Sequence, residues 1–121
     1  MVSVELTHRA MADLHDIRDY SIQTFGAKVA DRYLDDIEAA LVLLQEQPDI
    51  LLSKPGISDF FQFYPVRNHQ LVCTRLADTL IILTIKHCQM DLPERLLEIE
   101  PALQQEAELL YRRLSAQGRG G

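Results

Sequence analysis

The chain predicts an α+β fold in which an N-terminal antiparallel helical hairpin packs on a small antiparallel β-sheet and a C-terminal helical extension follows. Three observations carry this reading. Apolar residues recur at helical spacing from about residue 8 to residue 47. Residues 60 to 91, FFQFYPVRNHQLVCTRLADTLIILTIKHCQMD, then divide into an aromatic run, an alternating segment, a short polar break and a continuous apolar run, as antiparallel strands do. A second helical stripe begins near residue 93.

Taken in order, VSVEL alternates and is a candidate first strand. Thr7 precedes HRAMADLHDIRDYSIQTF, in which Ala10, Leu14, Ile17 and Ser21 share one face with Met11 and Tyr20 on its flanks. Its hydroxyl suits an N-cap, because it can accept from an otherwise unpaired amide of the first turn. Gly26 should end this helix in a left-handed conformation closed to residues with a Cβ. From about Ala27 to Gln47, the residues Val29, Ala30, Tyr33, Leu34, Ile37, Ala40, Leu41 and Leu44 form a broad apolar stripe, ended by Pro48. So short a connection favours antiparallel neighbours covering one face of the later sheet. PDILLSKPGIS at 48 to 58 is a connecting loop with turn chemistry at Pro55-Gly56, and Lys54 in it is either solvated or a cation at the mouth of a site.

In HQLVCTRL, residues 69 to 76, and LIILTI, residues 80 to 85, side chains alternate between faces, so parity decides which groups meet. If odd positions pair with odd, Arg67, His69 and His87 emerge on one face near the same end of the sheet. A one-residue shift in the turn near Leu76 to Thr79 sends His87 to the other face. At the C-terminus, Leu96, Ile99, Leu103, Ala107, Leu110 and Leu114 form a stripe that should pack on the chain's own sheet, with Pro101 kinking the helix or restarting it after Glu100. The expected organisation is one domain over 1–97, a helical extension of it over 98–116 and a disordered tail at 117–121.

Composition narrows the function. The 121 residues carry a net charge of -6, and the excess lies in residues 1 to 60, with eleven acids against five bases. Residues 61 to 97 hold four bases and three acids, so the meander is neutral to basic within an acidic chain. That global field opposes nucleic acid, whose non-specific binding rests on phosphate neutralisation. His8 and His15, seven apart, and the acids of the helical segments read as solvated faces. No metal or cofactor is expected. Cys73 and Cys88 read as free thiols, since Cys73 should face residue 82 or 83 rather than 88. With neither a leader pattern nor a bilayer-length apolar run, a cytoplasmic protein without a membrane partner is expected.

The ordered series LTHRAMADLHDIRDYSIQTFG, KVADRYLDDIEAALVLLQEQP, YPVRNHQLVC and IILTIKHCQMD resembles the RelE/ParE superfamily of toxins from bacterial type II toxin-antitoxin modules, over roughly residues 3 to 97. RNHQLV and the His-x-x-Met-Asp formed by His87, Met90 and Asp91 carry most of the likeness. The resemblance implies growth inhibition, plasmid stabilisation, a cognate antitoxin, and either DNA gyrase or ribosome-bound mRNA as target, with a homodimer or a toxin-antitoxin hetero-oligomer as the assembly. In RelE-like nucleases of the histidine-using kind, Arg67 would stabilise the scissile phosphate and His87 would act as general acid or base, a metal-independent endoribonuclease.

Cys73, Thr74, Thr84 and Gln89 stand where that branch has tyrosine or basic residues, and Arg75 falls one position beyond the usual arginine. The His-x-x-Met-Asp ending is closer to the ParE branch. His69, Lys86 and Asp91 are then the target-binding candidates, although Asp91 with Glu94 also fits a capping box on the last helix. The reading is a ParE-like toxin acting by binding, with a RelE-like endoribonuclease and a non-toxic interaction module as the alternatives.

Overall fold

The computed structural model describes residues 2–88 and 92–119, and its elements run in the order anticipated from the sequence. Strand β1 (Ser3–Leu6) leads into helix α1 (His8–Phe25), and α2 (Ala27–Glu46) follows. A 3-10 turn at Pro48–Ile50 and a loop precede β2 (Gln62–Val66), β3 (His69–Leu76) and β4 (Thr79–His87), and α3 (Leu92–Arg119) closes the chain. Thr7 caps α1 by accepting from the Ala10 amide at 3.1 Å. Gly26 alone joins the two helices. Its φ of 92° and ψ of 167° lie in a glycine-only extended region rather than the left-handed helical one expected, which lets α1 end and α2 begin on a single residue.

The sheet order is β1-β4-β3-β2. Strands β2, β3 and β4 are antiparallel, but β1 pairs parallel with β4, so the sheet is mixed where a purely antiparallel one was expected. The reason is topological. The α1–α2 hairpin and the β2–β3 meander lie between β1 and β4 in sequence, and this long crossover returns the chain in the same direction.

One face of the sheet packs on the helical hairpin through Leu71, Cys73, Leu80, Ile82 and Ile85 against Ile17, Tyr33, Ile37 and Leu44. The other face packs on α3, where Phe61, Phe63, Val72, Ile81 and Leu83 meet Leu96, Leu103 and Ala107. The C-terminal stripe therefore does pack on the chain's own sheet. Helix α3 runs through Pro101 as one element, so the helix does not restart after Glu100. The bond Pro101 cannot donate would go to the carbonyl of Leu97, which is 75% exposed, and water can serve that carbonyl. Arg9 forks onto Glu106 at 3.0 and 2.8 Å, tying α1 to α3. Helix α3 also includes residues 117–119, assigned from sequence to a disordered tail, whereas 120 and 121 lie outside the described residues.

Candidate functional site

Parity across β3 and β4 changes partway along the ladder. From the turn, Leu76 pairs with Thr79 and Cys73 with Ile82, odd against even. Beyond a bulge, Val72 pairs with Thr84 and His69 with His87, so parities now match. Leu83 is the additional residue. Without it the turn's own register would set His69 opposite Lys86 and turn His87 to the α3 face.

The bulge is held by side chains from the start of α1. Strand β1 accompanies β4 only as far as Ile82, leaving the next backbone groups of β4 without a strand on that side. Thr7 donates its hydroxyl to the carbonyl of Leu83 at 2.9 Å. Asp13 accepts from the Ile85 amide at 3.0 Å and from the hydroxyl of the buried Thr84 through the same carboxylate oxygen. Because the Ile85 amide points to Asp13 and away from β3, Leu71 and Ile85 form a non-hydrogen-bonded pair. Two residues on, His69 and His87 form another, in which side chains approach more closely. Their ring centroids are 5.1 Å apart, edge to face.

Tyr33 on α2 organises the groups around them. Its hydroxyl accepts from the Asn68 amide at 3.2 Å and bonds to Nδ1 of His69, and its ring meets the His69 ring edge-on at 5.5 Å. Accepting from Asn68 leaves the hydroxyl's proton available to Nδ1 of His69, and with Nδ1 as acceptor the histidine's proton lies on Nε2. Burial and the nearby His87 push the His69 pKa below its ordinary value, against a smaller opposing pull from Asp13, in keeping with a neutral imidazole. Burial raises the Tyr33 hydroxyl above its usual range, so it remains a donor.

Arg67 sits in the two-residue turn between β2 and β3 with a φ of 54°, a conformation uncommon for a side-chain-bearing residue. Its guanidinium pairs with Asp36 and lies 5.3 Å from the Tyr33 ring centroid. Arg67, Asn68, His69 and His87 thus converge with Tyr20, Ser21, Phe25, Val29 and Tyr33 on a cavity of about 320 Å³ at the joint of the helical hairpin.

Of the residues singled out from sequence, the structure brings Arg67, His69 and His87 together. Lys86 pairs with Gln70 and belongs to the opposite face of the sheet, and Asp91 lies outside the described residues. Lys54 does not line this cavity; half-buried, it donates to Gln70 at 2.6 Å and lies 4.9 Å from the Phe63 ring centroid. Both cysteines are free, Cys73 buried and Cys88 exposed. Among the described residues, no three His, Cys, Asp or Glu side chains converge as a metal would need, and no helix is long and apolar enough to cross a membrane.

Tyr33 and Asp13 were not singled out from the sequence. Tyr33 fell within an apolar stripe and Asp13 within a run of surface acids. A hydroxyl-bearing aromatic in an otherwise aliphatic stripe was the one available signal, because a buried phenol needs a polar partner.

Residues 4–92 match the family model of the ParE toxin of type II toxin-antitoxin system, parDE. Among solved structures, a chain of the chromosomal ParDE TA system from P. aeruginosa is similar, with a TM-score of 0.64 and 21% sequence identity. The alignment covers 72% of this chain and 96% of that chain. Among curated proteins nothing matches. Nearly all of α3 lies beyond the residues the family model covers.

Proposed function

The chain belongs to the ParE toxin family of type II toxin-antitoxin systems, and from that premise we propose that it arrests growth by binding DNA gyrase in the cytoplasm and is silenced by a cognate antitoxin. The observation that carries binding over catalysis is the state of the cavity's charged and titratable groups. Cleavage of RNA by its own 2′-hydroxyl needs cations on the phosphate and an acid and a base on either side of it. Here Arg67 is paired with Asp36, and burial beside His87 lowers the His69 pKa, which disfavours a cationic imidazole. Lys86, which could have supplied charge, belongs to the other face. An overall charge of -6 further opposes an RNA substrate.

A second reading, a ribosome-dependent mRNA endoribonuclease, is favoured by the placement of Arg67 and His87 on one cavity. The Arg67–Asp36 pair is exposed on both sides, and such pairs hold by no more than about 1 kcal/mol, so a phosphate could displace the carboxylate. Purified wild type and His87→Ala separate the two readings. Binding predicts inhibition of gyrase supercoiling that survives the substitution, with mRNA on ribosomes left intact. Cleavage of that mRNA by wild type and its loss in His87→Ala would replace the first reading with the second. Sedimentation of the toxin, alone and with its antitoxin, would distinguish a homodimer from a hetero-oligomer.

A further inference from the structure

The side chains at the mouth of the cavity differ from those on its floor. Phe25 is the last residue of α1, Val29 lies in the first turn of α2, and the positive φ of Gly26 brings these two helix ends together at a single-residue joint. Tyr20 stands one helical turn and a little more before Phe25. Tyr20 is 64% exposed and Phe25 61%, yet both line the same hollow as His69 and His87. Large apolar side chains that crowd into one concave place, rather than scattering over the surface, mark a site of contact.

The floor is polar and already arranged. The Tyr33 hydroxyl engages His69 and the Asn68 amide, and Arg67 engages Asp36. His69 lines the cavity with its Nδ1 side turned to Tyr33, so with the proton on Nε2 it can donate to an occupant. The cavity, about 320 Å³, is at the small end of the range of roughly 300–1,000 Å³ typical of ligand sites. It suits one bulky side chain better than an extended ligand.

Resting on the reading of this toxin as a protein that acts by binding, we propose that the cavity at the α1–α2 joint is where the target docks. The occupant is a protein segment that inserts one large apolar side chain between Tyr20, Phe25 and Val29 and offers a backbone carbonyl to His69. Charge selects protein over nucleic acid. The one arginine lining the cavity is compensated by Asp36, and the helices that form its walls belong to the half of the chain with eleven acids and five bases, a poor setting for a phosphate backbone. Aromatic side chains on the rim of a hollow are the usual anchors of such protein contacts.

The test uses the full chain with DNA gyrase holoenzyme, comparing wild type with Tyr20→Ala, Phe25→Ala and the double variant. Both side chains are largely in water, so the melting temperature should stay near that of wild type, and circular dichroism checks this. The expected result is a gyrase affinity at least about thirty-fold weaker in the double variant, the loss typical of removing an interface anchor. Wild-type affinity should change little between about 0.1 M and about 1 M salt, since the contact is apolar. If wild type neither binds nor inhibits gyrase, the reading itself fails and the inference with it. If wild type inhibits gyrase and the double variant does so equally well, the inference alone is overturned. It is likewise overturned if the substitutions instead abolish antitoxin binding, or turn a wild-type dimer into a monomer, because the surface would then belong to those partners.

Discussion

The β3–β4 ladder has two halves, and different chemistry holds each. Before the bulge, Leu80 and Ile82 fill the hairpin side and Ile81 the α3 side, all fully buried, and β1 runs alongside. Beyond it β1 is gone, and Thr7 and Asp13 take over part of its hydrogen bonding from the start of α1. The first half is a core that any apolar sequence of suitable volume could approximate. The second depends on a few named polar groups, and its reward is the meeting of His69 with His87. A single inserted residue, Leu83, converts one arrangement into the other.

Substitutions can break this comparison, and the largest effect belongs to the first half. Leu80→Ala, in the fully buried part, should lower unfolding free energy by about 2–5 kcal/mol in denaturant titrations, through lost burial and the cavity left behind. In the second half, Asp13→Ala should cost about 1–3 kcal/mol, because the Ile85 amide and the Thr84 hydroxyl lose their acceptor. It should also loosen the approach of His87 to His69, seen as shifted imidazole resonances. A surface aspartate with no such task would change neither observable.

A smaller effect of opposite sign is expected at the β3–β4 turn. Ala77 has a φ of 55°, so Ala77→Gly should stabilise the chain by up to about 1 kcal/mol by removing a clash in the left-handed region. Arg67 has nearly the same φ in the β2–β3 turn, but there the side chain pairs with Asp36 and covers Tyr33. Arg67→Gly should therefore gain less, which separates a plain turn from one that serves the cavity.

The smallest effect concerns pH. The folded-state pKa of His69 lies below its ordinary value of 6.5, so the folded chain binds fewer protons than the unfolded one in the interval just below that value. Stability should rise with pH through this interval and level off above it, and His69→Gln should remove that part of the slope. His87→Gln should move the His69 titration upward, since His87 is one cause of the depression.

How much of this could be read from the sequence follows the same division. Helices α1 and α2 and strand β3 are legible to within a residue or so, because burial at helical spacing and strand alternation are local patterns that Gly26 and Pro48 punctuate. The register was not legible. The turn at 77–78 sets odd against even, and only the tertiary reach of Thr7 and Asp13 to β4, some seventy residues away, makes room for the bulge that restores the match. For the same reason Asp13 looked like any exposed helix acid. The parallel pairing of β1 with β4 was hidden too, since alternation in VSVEL announces a strand but not its direction.

The central claim is that the bulge at Leu83 turns His69 and His87 toward each other. Proton NMR of the wild-type protein tests it most directly, through cross-relaxation between side chains. The account predicts ring-to-ring effects between His69 and His87, together with effects from His69 to Tyr33. Effects from the His69 ring to the Lys86 side chain, with none to His87, would mean that the turn's register continues unbroken to the end of the strand, and would contradict it.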